Sequence, residues 1–167
     1  GGAFSSRAMK QIFSIAALIF FLATALQNST AAEPANATAP EIFKQFSANV
    51  IKIEVVETGS AAKASVGTGF FANELGHIIT NYHVVSKLIH SPDRYRIEVT
   101  DQSGQTDQAT VLGVDVVYDL AVLRGNRPAK GFLRLESKPV EQGTRLYSLG
   151  HPRDLGLTIV EGTYNGL

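Results

Sequence analysis

Two residues of this chain have the types and settings for proton-transfer chemistry: His83 in "HIITNYHVV" and Asp119 in "VVYDLAVLR". His83 follows Ile78-Ile79-Thr80, an apolar run that reads as a buried strand stopping at the polar pair Asn81-Tyr82. A histidine held at the end of a stiff strand can serve as a general base. One ring nitrogen must face a nucleophile and the other an orienting carboxylate. The same residue can equally be a core histidine with both nitrogens satisfied. Asp119 lies between Val116-Val117 and Leu120 to Leu123. A carboxylate between apolar segments needs a partner, because burying it unpaired is costly. An imidazole N–H is one such partner, and the backbone amides of a turn are another. Asp115 competes for the same role four residues earlier.

Other chemical patterns lack their context. Ser60 to Lys63 spells Ser-x-x-Lys, but that pair works on a helix with later Ser-Asp-Asn and Lys-Thr-Gly segments, and neither occurs. Gly67 to Ala72 loosely fits a dinucleotide loop, yet a turn and a strand follow where a long helix is required. His77, His83, His90 and His151 lack the i, i+4 helical spacing of a metal site, and there is no cysteine. His77, His90 and His151 read as surface or turn residues. No metal ligand set and no cofactor site is expected.

The elements that must position His83 and Asp119 are mostly strands. Val50 to Val56 alternates Ile/Val with Lys52 and Glu54, a half-buried strand. Residues 66–80 read as a hairpin turning at Asn73-Glu74-Leu75-Gly76. Further strands are expected at Tyr95 to Thr100, Thr106 to Val117, Leu120 to Arg124, Arg145 to Leu149 and Leu157 to Tyr164. Pro40 opens one short helix with Ile42, Phe43 and Phe46 on a single face. No long helical period follows. Many short strands with frequent turn signals predict an all-β barrel or sandwich.

Three ordered segments, "GTGFFANELGHIITNYHVV", "GVDVVYDLAVLR" and "LYSLGHPRDLGLTIVEGTYNGL", together resemble the trypsin-like (chymotrypsin-fold) serine peptidases, in particular the exported HtrA/Deg branch. The resemblance covers about residues 45–167. It implies an antiparallel six-stranded β-barrel from about Ile51 to Arg124, then the first strands of an incomplete second barrel from about Gly143. It also implies that His83 is the general base and Asp119 the orienting acid of a Ser-His-Asp triad, with Gly67 and Gly69 packed near the site. Further implications are serine endopeptidase activity on protein or peptide substrates and no metal or cofactor. The resemblance also implies a homo-oligomer, a trimer built through N-terminal segments, with Phe43 and Phe46 as contact residues. The family's nucleophile sits in a Gly-x-Ser-Gly-Gly segment, and these 167 residues contain none. Ser103 has only Gly104 beside it, and Ser148 lies upstream of the family position. The expectation is therefore an N-terminal fragment that is inactive alone. The alternative is a non-catalytic pseudo-peptidase that binds proteins with the same barrel.

The N-terminal residues speak to compartment. Arg7 and Lys10 precede "IFSIAALIFFLATAL", an apolar run from Ile12 to Leu26, and small residues follow. That order describes a secretory signal peptide cleaved after Ala31 or Ala32. The run is short for a membrane span, which needs about 20 apolar residues, so an uncleaved anchor is the lesser alternative. Removing these residues leaves 13 basic and 15 acidic side chains, a net charge of about −2. Nothing in that balance provides a field for nucleic acid or an anionic membrane. The expected division is 1–32 upstream residues and signal peptide, 33–49 leader and short helix, 50–142 first barrel, and 143–167 the start of a second. The expected location is periplasmic or secreted.

Overall fold

A computed structural model describes residues 37–166; the expected signal peptide and most of the leader lie outside the described residues. Strands form where alternation and turn residues placed them: β1 Val50–Glu57, β2 Lys63–Phe71, β3 His77–Thr80, β4 Tyr95–Thr100, β5 Thr106–Asp115 and β6 Leu120–Gly125. They close an antiparallel barrel in the order β1-β2-β3-β6-β5-β4, which leaves no strand edge unpaired. A second, two-stranded sheet pairs β7 Arg145–Gly150 with β8 Thr158–Thr163. The fold is thus mostly β, a closed six-stranded antiparallel barrel plus a small two-stranded sheet. Helix α1, Ala39–Phe46, lies along β7 and β8, and Tyr147 Oη donates to the Ala37 carbonyl at 3.0 Å. Phe43 and Phe46 are half-buried.

The barrel interior holds Ile53, Val55, Ile78, Ile97 and Leu123, all fully buried. Helix α2, Tyr82–His90, adds Val84 and Val85 to this core. Each such side chain contributes about 1.5–3 kcal/mol on burial. That seats a nine-residue helix, one too short to persist in water by itself. The strand ends at Thr80 as the sequence reading has it, but that reading assigned no helix after it, and His83 sits in the first turn of one. The apolar spacing Val84, Val85, Leu88, with Pro92 just beyond the end, is a helical signature too brief to stand out from strand-like valines.

Strand β1 also departs from expectation. Alternation reads it as half-buried, with Lys52 and Glu54 toward water. Six of its eight residues are buried, and Glu54 is among them. The connection between β7 and β8, with its short 3-10 turn Pro152–Asp154, reaches over its outer face. There Lys52 Nζ lies 3.2 Å from Glu54 and 3.1 Å from Asp154, Lys63 Nζ lies 2.6 Å from Glu54, and Lys63 also bonds Asp154. Two cations alternate with two carboxylates, so the buried Glu54 is compensated.

Lys63, then Lys52, hold the Asp154 carboxyl below the usual aspartate range. A depressed carboxylate stabilises the fold above its unfolded value near pH 4, and that contribution is lost as the pH falls through its native value. The protection of Leu155 and neighbouring amides against hydrogen exchange, relative to the free-chain rate at the same pH, is therefore expected to fall below about pH 4. Asp154→Asn should show fast exchange already at pH 7. Equal protection in both proteins at pH 7 would count against this tether.

Candidate active site

His83 and Asp119 meet because β3 pairs with β6. The register sets Ile79 opposite Val122 and Thr80 opposite Ala121. Continued two residues further, it brings Tyr82 opposite Asp119, and the Tyr82 N–H donates to the Asp119 carbonyl at 3.1 Å. The first turn of α2 therefore starts beside Asp119, the last turn residue before β6. A slip of one residue would separate the two side chains and turn Leu123 out of the core.

The pair is bonded twice. His83 Nδ1 is 2.7 Å from Asp119 Oδ2, and the His83 backbone N–H donates to Asp119 Oδ1 at 2.8 Å. The second bond satisfies one of the free amides at a helix N-terminus, where a negative charge is favoured. That amide, and next the imidazole, hold the Asp119 carboxyl below the usual carboxylate range. An ionised carboxylate has no proton to give, so Nδ1 must be the donor. In the neutral ring, Nε2 then carries the lone pair. The imidazole side chain is 69% exposed and the carboxylate 44%. Among the described residues, no hydroxyl hydrogen-bonds to Nε2.

Burial does not explain the pairing of Asp119, contrary to the sequence argument. Val117 beside it is 87% exposed and Tyr118 76%. Strand β5 ends at Asp115, two residues short of expectation, and residues 116–119 form a turn. Asp115 is the turn aspartate: its Oδ1 accepts the Val117 and Tyr118 N–H groups, both at 3.0 Å. Asp119 itself takes a left-handed backbone, φ 54°.

The glycines of β2 set how closely α2 approaches. A Cβ at Gly67 would strike both methyls of Val84, the neighbour of His83. A Cβ at Gly69 would lie 2.6 Å from Ile53 Cδ1, 2.8 Å from Ile78 Cγ2 and 2.9 Å from the Ile79 carbonyl.

The remaining candidates lie apart. Ser60 Oγ donates to Glu57 Oε2 at 2.6 Å, while Lys63 turns to Glu54 and Asp154, so the two make no Ser–Lys pair. His77 Nδ1 contacts Asn73 Nδ2 at 2.9 Å. His90 ends α2, with Nδ1 2.7 Å from the Ser86 carbonyl. His151, expected at the surface or in a turn, is half-buried and leads into the Pro152–Asp154 turn. It sits between Thr68 and Gln102, and burial, then Lys52, pushes its pKa down. Among the described residues, no three His, Asp or Glu side chains group as metal ligands, and no helix is long and apolar enough to cross a membrane. The residue that sequence reasoning passed over is Asn81. Its Nδ2 donates to the Asp119 carbonyl at 3.0 Å, and its place one residue before a helix was the available signal.

Comparison with known proteins gives a consistent answer. A family model described as the trypsin-like peptidase domain matches residues 67–167. The chain is similar to "Protease Do-like 5, chloroplastic" of Arabidopsis thaliana, 27% identical over 146 residues, which are 75% of this chain and 45% of that protein. It is 33% identical to "Probable periplasmic serine endoprotease DegP-like" of Brucella suis, over 62% of this chain and 20% of that protein. Its structure is similar to the crystal structure of Deg5, with TM-score 0.63 and 30% identity, over 75% of this chain and 61% of that one. The chain spans less than half the length of these curated relatives.

Proposed function

The chain belongs to the trypsin-like peptidase family, with relatives of the HtrA/Deg type, and from that membership we propose that it is the N-terminal part of an exported serine endopeptidase. The observation that carries the reading is the ionised Asp119 bonded to His83 Nδ1, which leaves Nε2 bare at the surface. In this role a serine Oγ, on a segment outside these residues, attacks the scissile carbonyl and passes its proton to Nε2. His83 then gives that proton to the leaving amine, and water repeats the cycle on the acyl-enzyme. Asp119 stays ionised throughout and stabilises the imidazolium. The oxyanion amides and the specificity pocket come from the same outside segment.

Two further observations support this reading. None of the 167 residues forms a Gly-x-Ser-Gly-Gly segment, and the match covers only 45% and 20% of the two curated relatives. Protein substrates and a homotrimer are the matching expectations. Export rests on the basic-apolar-small order of residues 7–32 and places the enzyme in the periplasm or outside the cell.

The test is covalent labelling. The 167-residue chain should not react with a fluorophosphonate serine probe. A chain extended through a Gly-x-Ser-Gly-Gly segment should label one-to-one, hydrolyse unfolded casein, and begin at residue 32 or 33 when recovered from its compartment. Stoichiometric labelling of the 167 residues would overturn the placement of the nucleophile. A longer chain that lacks such a segment would make the protein a binding module with a peptidase barrel.

A further inference from the structure

Asn81 occupies the position that caps α2, yet its side chain makes no bond to that helix. Its Nδ2 reaches instead to the Asp119 carbonyl, which also accepts the Tyr82 N–H. A carbonyl oxygen has two lone pairs, and these two donors occupy both. The residue they grip has φ 54°, a left-handed conformation that side chains other than glycine adopt at a cost. On its other side Asp119 gives both carboxylate oxygens to His83. The two residues have thus exchanged partners: Asp119 supplies the acceptor for the helix amide, and Asn81 supplies a donor for the carbonyl of Asp119.

We propose that Asn81 is a positioning residue for the His83–Asp119 pair. Its amide clamps the Asp119 carbonyl, keeps that residue left-handed, and thereby aims the carboxylate at His83 Nδ1. The catalytic sense of this clamp rests on the base-and-acid reading above, whereas the clamp itself does not. If Asn81 were only a helix cap, aspartate would replace it freely, since the two cap helices equally well. A clamp makes the opposite demand. It needs a donor, and an aspartate there would face a carbonyl oxygen with a second acceptor.

The experiment is NMR on the 167-residue chain and its Asn81→Asp and Asn81→Ala variants. In the parent, a through-hydrogen-bond coupling should join Asn81 Nδ2 to the Asp119 carbonyl carbon. In Asn81→Ala, which adds no charge, the Asp119 carboxyl should titrate higher than in the parent, and in Asn81→Asp roughly one pH unit higher, part of it from the second carboxylate itself. The His83 Nδ1 proton should exchange at least about tenfold faster, following the loss of its ordered acceptor. Asn81→Ala should fall between parent and Asn81→Asp. A parental titration and a parental Nδ1 proton in Asn81→Ala would overturn the proposal. So would a parent whose Asn81 amide exchanges at the rate of a free side chain with no coupling, and that measurement stands even if the variants do not fold. Turnover enters none of these readouts. An extended peptidase that survives His83→Ala would refute the catalytic reading and leave the clamp standing.

Discussion

Asparagine in place of Asp119 is expected to lower kcat of the extended peptidase about 10⁴-fold while the barrel melts within a few degrees of the parent. The substitution keeps size and shape. One oxygen remains to accept the His83 backbone N–H, now 2.8 Å from Oδ1, so the start of α2 stays tied to the β5–β6 turn. The other position becomes an NH₂ facing Nδ1, 2.7 Å away in the parent. Two donors cannot share that contact. The ring must move its proton to Nε2, the nitrogen that has to accept the serine proton. Catalysis falls because the tautomer is wrong, with little else changed. His83→Ala should cost at least as much, and the double variant little more, because the two groups act as one unit. Steady-state hydrolysis of a peptide substrate, with a thermal melt beside it, checks this. An Asp119→Asn enzyme within tenfold of the parent would show that the pair is structural. The acid limb should change as well. The Asp119 carboxylate stabilises the native state above about pH 4 and loses that effect as the pH falls through its lowered value, and the asparagine variant has no such dependence.

Gly69→Val should destabilise the barrel by about 3 kcal/mol or more, at the upper end of the cost of overpacking a core. Gly69 is buried on β2 and pairs with Ile51 on β1. An added Cβ meets Ile53 from one side and Ile78 from the other, and its third neighbour is the backbone oxygen of Ile79. Side chains can shift by a few tenths of an ångström, but a paired strand cannot retreat without losing ladder bonds. Valine adds two further methyls to that space. The melting temperature should fall by roughly 10 °C or more for a domain of this size. Gly59→Ala is the control. It has nothing within 4 Å of an added Cβ and should stay within about 0.5 kcal/mol of the parent. Equal melting temperatures for Gly69→Val and Gly59→Ala would mean that the barrel relaxes around this position. Gly67 differs in kind. Its obstacle is Val84, so a side chain there pushes α2, and His83 with it, away from the barrel.

The strand positions and the candidate pair His83 and Asp119 are legible in the sequence. Val50 to Val56 and Tyr95 to Thr100 carry period-two alternation between turn residues, and alternation is a local property that needs no neighbour to be read. The order of His83, Asp119 and the Gly-His-Pro turn likewise survives in one dimension, so the family was legible from three short segments. What brings His83 to Asp119 is set by the closed barrel. The β3–β6 pairing joins strands that are not successive in the chain, and its register follows from which side chains of both must enter one core. The helix under His83 depended on Val84 and Val85 finding a barrel end to fill. Glu54 is buried against Lys52 and Lys63, which Asp154 of the β7–β8 connection also holds, and Asp119 needed its amide partner more than an apolar surround. Asn81 stayed silent in the sequence for the same reason. Its partner is a backbone carbonyl, which has no letter of its own, and only the closed barrel sets that carbonyl within reach.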